Sequence, residues 1–147
     1  MSKATAEDAN LILKLYKLRT ESTMRKARAF VIGEFWPQSG EDLAKLVADF
    51  GSQENAYYRQ VVTYWDMAVS FVARGALNEE LFADSAGELF FIYAKLFPHV
   101  GKVREINPLF LAKLEDFVNS SKEYKDRVAT AGKSIARLAA SRAAAAS

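Results

Sequence analysis

The chain has 147 residues, of which 50% are hydrophobic and 12% aromatic, so it can bury one sizeable core and is not a disordered protein. It contains no cysteine, which excludes disulfide bonds and thiolate metal sites. The net charge is +2, but residues 122–147 hold six basic and two acidic side chains and so carry +4, which leaves −2 for residues 1–121. We therefore expect a mildly acidic body followed by a basic tail.

The N-terminal residues, which include Glu7 and Asp8, lack the apolar segment of a signal peptide. Apolar runs such as 89–94 are much shorter than the roughly 20 residues that a membrane-spanning helix needs. We expect a cytoplasmic protein without a transmembrane segment.

Apolar residues recur at helical spacing from near the N-terminus. Thr5 is a typical N-cap for the first helix. The apolar stripe changes direction around Thr20, so this helix either touches different neighbours at its two ends or breaks there. A further helix is expected with Ser39 or Gly40 as its N-cap, and it is predicted to end at Gly51, a residue type common after helix C-termini.

Two helices, at 54–74 and 86–97, are predicted to form the centre of the molecule. Apolar side chains cover most of the circumference of the first, and the second has only a narrow polar strip. Helices with so wide an apolar face are expected to be surrounded by others. We predict that the two form a buried hairpin, separated by a short helix that Asn78 caps.

The C-terminal third continues the helical pattern. Asn107 followed by Pro108 is typical of an N-cap with proline at the first helical position, so a helix is expected to begin there. Residues 122–147 keep a helical period but end in an alanine-rich stretch, which is predicted to be helical or frayed. The chain is therefore predicted to be all-α, with residues 1–121 forming a compact bundle of about six helices.

Several short segments within residues 64–97 resemble an uncharacterised family of small bacterial helical proteins, catalogued as a domain of unknown function. The segments are Tyr64-Trp65-Asp66-Met67, Gly75-Ala76-Leu77, Glu80-Leu81-Phe82 and Gly87-Glu88. The resemblance covers about residues 10–120 and leaves out the basic tail. It implies a bacterial origin and a helical fold, and it brings no activity.

The central helices contain one candidate ligand pocket or buried polar site. Its members are Arg59, Tyr64, Trp65, Asp66 and Glu88. A partly buried Asp66 with a raised pKa would be able to bind a ligand or act as a base. Alternatively, Asp66 is a structural acid that bonds to Arg59, Thr63, Ser70 or an arginine from a neighbouring helix. The aromatic residues around it likewise form either pocket walls or ordinary core.

A weaker candidate is a metal site. Glu80, Asp84 and Glu88 are spaced four apart and would line up to hold a hard cation if the short helix ran straight into the next one. A break is expected at 84–87, however, and with His99 as the single histidine the chain has no Glu-x-x-His pairs. We read His99 as an exposed loop residue. Without any catalytic or nucleotide motif, we expect neither an enzyme nor a cofactor.

Three functions remain open at this level. The first is a non-enzymatic interaction or scaffold protein that forms a homo-oligomer, because so many aromatic residues on a small body can leave an apolar face exposed. The second is a small-molecule-binding bundle with its pocket near Trp65, Asp66 and Glu88. The third is association with nucleic acid or an anionic membrane through residues 122–147.

Overall fold

The computed structural model describes residues 3–147, and its regular structure in that range is entirely helical. The predicted all-α class is confirmed, although residues 3–121 form eight α-helices and not about six, and the tail forms a ninth. They are α1 Ala6–Arg19, α2 Ser22–Ala29, α3 Gly40–Ala48, α4 Gln53–Ala73, α5 Glu79–Asp84, α6 Gly87–Leu96, α7 Gly101–Arg104, α8 Ala112–Val118 and α9 Lys122–Ala146. The higher count comes mostly from short helices that the sequence pattern did not separate.

The helix starts follow the predicted capping residues. The Thr5 side chain accepts a hydrogen bond from the Asp8 backbone N–H, and the Asp8 carboxylate accepts one in return from the Thr5 backbone. The Ser39 and Asn78 side chains cap α3 and α5 by accepting hydrogen bonds from the backbone N–H groups of Asp42 and Leu81. The predicted end of α3 at Gly51 is wrong, because the helix ends at Ala48 before a turn.

The first helical stretch breaks near Thr20. α1 ends at Arg19, and Glu21 then caps α2 by accepting hydrogen bonds from the backbone N–H groups of Thr23 and Met24, both at 3.0 Å. This acidic cap lets the chain change direction between the two apolar stripes. α2 runs on into a π-helical turn, Phe30–Glu34.

A buried lysine stabilises the π-helical turn by donating hydrogen bonds to its carbonyl groups. Nζ of Lys95, on α6, donates to the backbone oxygens of Val31 and Ile32 at 2.7 and 3.0 Å. Nζ also lies 4.1 Å from the centroid of the Trp36 ring. The residue is 3% exposed, and burial, assisted by the charge of Arg142, lowers the pKa of Lys95 to about 8.

Both predicted central helices are present and largely buried, as α4 and α6. α4 packs mainly against α2 and α8, whereas α6 packs most extensively against α9. The two therefore meet through individual side chains, such as Trp65 and Glu88, and less closely than the predicted hairpin implied.

The prediction that a helix begins at Asn107-Pro108 is wrong, because α8 begins at Ala112. Residues 107–111 form a turn instead, in which the Arg104 guanidinium donates to the Phe110 backbone oxygen at 2.8 and 3.0 Å. Leu111 closes the turn with φ +60°, a left-handed conformation that is costly for leucine. Its buried side chain helps to hold this conformation in place.

The tail forms one long helix, α9, so the helical character of residues 122–146 is confirmed. Its first half lies along α6, with Tyr124 buried against Phe90 and Phe117. The division into a body and a separate tail stays a prediction. Within residues 3–147, no helix combines the length and the apolar character that crossing a membrane requires.

Candidate functional site

Trp65 and Glu88 meet between α4 and α6, as the pocket hypothesis required. Nε1 of Trp65 donates to Oε2 of Glu88 at 3.1 Å, and Nε of Arg28, from α2, donates to Oε1 at 2.7 Å. The Glu88 side chain is only 8% exposed, and both of its oxygens are engaged. Glu88 is therefore a structural carboxylate that ties three helices together and has little capacity left for a ligand.

Arg19, the last residue of α1, lies beside this cluster. Its guanidinium carbon is 5.2 Å from the centroid of the Tyr16 ring and 5.3 Å from that of the Trp65 ring. Its backbone oxygen accepts a hydrogen bond from Arg28 at 3.2 Å. Nε of Arg19 is buried and has no hydrogen-bond partner within residues 3–147. The positive charge of Arg19 is thus held between two aromatic rings.

A cavity of about 190 Å³ opens beside Arg19 and Trp65. It is lined by Ile12, Leu13, Leu15, Tyr16, Arg19, Tyr64, Trp65, Phe82 and Ser85. The Tyr64 hydroxyl donates to the Leu15 backbone oxygen at 2.7 Å, and burial raises the pKa of Tyr64 to about 12. The Ser85 hydroxyl donates to the Phe82 backbone oxygen. The guanidinium of Arg19 and the hydroxyl of the exposed Tyr16 are the groups in these walls that remain available to a polar ligand.

Asp66 faces a different side of α4. Consecutive residues of a helix point about 100° apart, so the burial of Trp65 towards α6 directs its neighbour elsewhere. Asp66 is half-buried, and burial raises its pKa, while the charge of Lys113 on α8 lowers it. Asp66 is therefore not part of the Trp65–Glu88 cluster.

The hydrogen bonds predicted for a structural Asp66 are absent from residues 3–147. Its Oδ1 is buried without a partner. The three candidate donors are used elsewhere: Arg59 binds Asn55 Oδ1, Thr63 binds the Arg59 backbone oxygen, and Ser70 binds the Met67 backbone oxygen. Arg59 is thereby also removed from the predicted pocket.

The structure does not bring the three weak metal candidates together. Glu80 and Asp84 are exposed on α5, which ends at Asp84, and Glu88 follows on α6 with its oxygens already engaged. In the part of the chain that the structure describes, no three His, Asp or Glu side chains form a metal-binding group. His99 lies half-buried in a 3-10 turn, Phe97–His99, and is less exposed than expected.

Two of the basic residues of α9 contact aromatic rings. The guanidinium carbon of Arg127 is 4.1 Å from the centroid of the Phe90 ring, and that of Arg142 is 5.1 Å from the Trp36 ring. The remaining cations of the tail are exposed: Lys122, Lys125, Lys133 and Arg137. Association of this tail with nucleic acid or an anionic membrane stays a prediction.

The cations of this region, Arg19 and Arg28, were not among the candidate residues predicted from the sequence. A usable signal existed, since Glu88 is the single acid of α6, a mostly apolar helix, and burying it requires a cationic partner. The partner lies 60 positions away in the chain, so spacing could not identify it.

A family model described as a domain of unknown function, DUF4760, matches residues 4–121. No curated protein and no solved structure matches the chain. The matched region covers most of the chain and ends where α9 is about to begin. The chain belongs to the DUF4760 family.

Proposed function

We propose that this member of a family without an assigned activity is a non-enzymatic interaction protein, which pairs with a second copy through the exposed face of α1. The observation that carries the proposal is the exposure of Leu13 and Tyr16, at 65% and 57%. Large apolar side chains that stay in water next to one another are typical of a surface that a partner covers.

The exposed apolar residues of α1 form a continuous line. Ala6, Ala9, Leu13 and Tyr16 are all exposed and follow one another at spacings of three, four and three residues. This spacing places them along one face of a helix and is the pattern by which two helices pack side by side. The opposite face of α1 holds the buried Leu15, so this line points away from the core.

The line is complementary to itself when two copies run antiparallel. Its first half carries two alanines, and its second half carries Leu13 and Tyr16. A two-fold axis near residue 11 would place Ala9 opposite Leu13 of the second copy and Ala6 opposite Tyr16. Small residues then face large ones, which is how packed layers interdigitate, and the interface is isologous.

The charges along α1 favour the same arrangement. Glu7 lies in the first turn, whereas Lys14 and Lys17 lie on the same flank of the line in the last two turns. Antiparallel pairing places Glu7 of one copy between Lys14 and Lys17 of the other, and parallel pairing would bring like charges together. The helix dipoles also oppose one another in the antiparallel arrangement.

The contact is expected to be weak and reversible. A helix of 14 residues is about 21 Å long, so pairing through α1 alone buries less surface than a standard stable interface. We expect dissociation constants in roughly the micromolar to millimolar range, with residues beside α1 adding to the contact.

Replacing Leu13 with glutamate is expected to abolish self-association, because it places two carboxylates, one from each copy, in the apolar line. Sedimentation velocity at increasing protein concentration measures the effect. Leu109→Glu is the matched control, since Leu109 is 78% exposed in the turn before α8 and lies outside α1. Equal sedimentation of both variants and the wild type would contradict the assignment of the interface.

A charge exchange provides a second test that does not remove apolar contacts. Lys14→Glu combined with Lys17→Glu is expected to weaken the dimer at low salt, because Glu7 of each copy then meets two acids of the other copy. Adding Glu7→Lys is expected to restore it, since the pattern is then inverted and complementary again. If the triple variant is no stronger than the double variant, the antiparallel arrangement is wrong.

A further inference from the structure

The cavity beside α1 contains a cation without an acid. Among residues 3–147, Arg19 forms no ion pair and its side chain donates no hydrogen bond, although a guanidinium carries five N–H donors. Its Nε is buried and cannot be reached from the cavity, so a ligand has to contact the two terminal nitrogens of the guanidinium, which are not closed off in this way. These nitrogens have no acceptor within residues 3–147, and an acceptor supplied by a ligand would satisfy them.

The rest of the cavity is suited to an apolar group. Trp65 and Phe82 provide aromatic walls, and the hydroxyls of Tyr64 and Ser85 already donate to backbone oxygens. An apolar cavity of about 150 Å³ in another protein holds benzene. At about 190 Å³, this cavity has room for one such ring together with a small polar group.

The charge balance selects an anion with a single charge. Arg28 and Glu88 neutralise each other at 2.7 Å, so Arg19 contributes one unpaired positive charge. Arg19 would compensate only one of the two negative charges of a phosphate dianion, and the other would lie near the Glu88 carboxylate. A carboxylate matches the guanidinium in charge, and its two oxygens can accept two parallel N–H bonds.

We infer that this cavity binds a small organic monocarboxylate with an aromatic or branched apolar group. The carboxylate accepts hydrogen bonds from Arg19, and the apolar group packs against Trp65 and Phe82. From the sequence we predicted a pocket near Trp65, Asp66 and Glu88, two of which are carboxylates. The structure instead supplies a cation, so the preferred ligand carries the acid. Leu13 and Tyr16 line this cavity and also belong to the proposed dimer contact, but Arg19, on which the inference rests, lies outside that contact.

Benzoate is the probe for this site, followed by NMR of the two indole N–H groups during a titration. We expect saturable binding with a dissociation constant on the order of 1 mM or tighter. The Trp65 resonance is expected to shift. The Trp36 resonance is expected not to shift, because that indole donates to the Gly33 backbone oxygen at a different place in the fold. Absence of saturation at several tens of millimolar would overturn the inference.

Two comparisons separate recognition by Arg19 from non-specific binding. Arg19→Met is expected to weaken benzoate binding by roughly tenfold or more, while Arg25→Met, which removes an exposed arginine from α2, leaves it unchanged. Benzyl alcohol, a neutral analogue, is expected to bind to the wild type at least about tenfold more weakly than benzoate. Equal binding in either comparison would overturn the inference.

The variants also distinguish this site from the dimer. Arg19→Met keeps all four residues of the exposed line of α1, although it removes the guanidinium from the Tyr16 ring, so sedimentation of this variant is expected to stay close to that of the wild type. Loss of benzoate binding with unchanged sedimentation supports the site on its own. If Arg19→Met does not fold, Arg19→Lys keeps the charge but removes the planar pair of donors, and it is expected to weaken binding severalfold. Unchanged binding to Arg19→Lys, like equal binding of benzyl alcohol and benzoate to the wild type, would overturn the inference.

Discussion

Replacing Glu88 with alanine is expected to lower the free energy of unfolding by about 3 kcal/mol. The substitution removes the acceptor for the Trp65 indole and for the Arg28 guanidinium at once. Trp65 is buried, so its N–H would have neither a protein partner nor free access to water. Arg28 is 30% exposed, which lets water compensate part of its charge and keeps the expected loss near the lower limit for broken buried pairs.

Urea unfolding followed by circular dichroism measures this loss. Glu80→Ala is the matched control, because Glu80 lies in the first turn of α5 as Glu88 lies in the first turn of α6, but is exposed. The control is expected to change the free energy of unfolding by less than about 0.5 kcal/mol. A similar small effect for Glu88→Ala would mean that the cluster does not hold the three helices together.

The second large effect concerns Lys95 and pH. Its folded-state pKa of about 8 lies below the ordinary value of 10.5, so the unfolded chain binds more protons between these two values. Stability therefore rises as the pH increases through this interval, and below it the cost of burying the charge is fully present. Relative to a Lys95→Met variant, the wild type is expected to gain about 2 kcal/mol between pH values of about 8 and about 10.

The comparison with Lys95→Met cancels the other groups that titrate at high pH. Burial raises the pKa values of Tyr64, Tyr93 and Tyr124 to about 12, so their contribution is lost as the pH rises through about 10 to 12 in both proteins. Arg142 is the charged group that faces Lys95 from α9. Urea unfolding at several pH values gives the difference.

Lys45→Met removes an exposed lysine from α3 and is expected to reproduce the wild-type profile. The substitution at Lys95 also removes the donors to Val31 and Ile32, which changes stability at every pH. The slope is therefore the diagnostic quantity. A pH-independent difference between the wild type and Lys95→Met would contradict a buried, charged lysine at neutral pH.

Much of the fold could be predicted because local physics determines it. Thr5, Ser39 and Asn78 cap helices with the side-chain hydrogen bonds that their residue types favour. The break near Thr20 was one of two stated alternatives, and the deciding feature was the Glu21 carboxylate, which caps α2. Periodicity cannot weigh one such hydrogen-bonded cap against a continuous helix.

Other features depend on individual side-chain contacts that helical periodicity does not reveal. The turn before α8 forms because Arg104 binds the Phe110 backbone oxygen and a buried Leu111 tolerates a left-handed conformation. The local Asn107-Pro108 pattern favours a helix start and is overridden by these contacts. The π-helical turn likewise needs Lys95, more than 60 positions away, to bind its carbonyl groups.

The candidate site was predicted in part. Tyr64, Trp65 and Glu88 lie close together, because aromatic and acidic side chains on buried helices have to find partners. Glu88 was expected to be available to a ligand, but Arg28 and Trp65 donate hydrogen bonds to both of its oxygens. Because Asp66 is adjacent to Trp65 in the sequence, we predicted both in one pocket, but adjacent residues of a helix face different sides. The cation that defines the cavity, Arg19, comes from another helix and could not be inferred from α4.

Thiol cross-linking between two single-cysteine variants tests the proposed dimer most directly, because the chain has no cysteine of its own. Ala9→Cys and Leu13→Cys chains are mixed in equal amounts and treated with a short bifunctional thiol reagent. Antiparallel pairing predicts a mixed product that joins one Ala9→Cys chain to one Leu13→Cys chain. Products that join two copies of the same variant are expected in much smaller amounts. A predominance of products that join two copies of the same variant would contradict the antiparallel arrangement. The absence of any cross-linked product at high protein concentration would contradict pairing through α1.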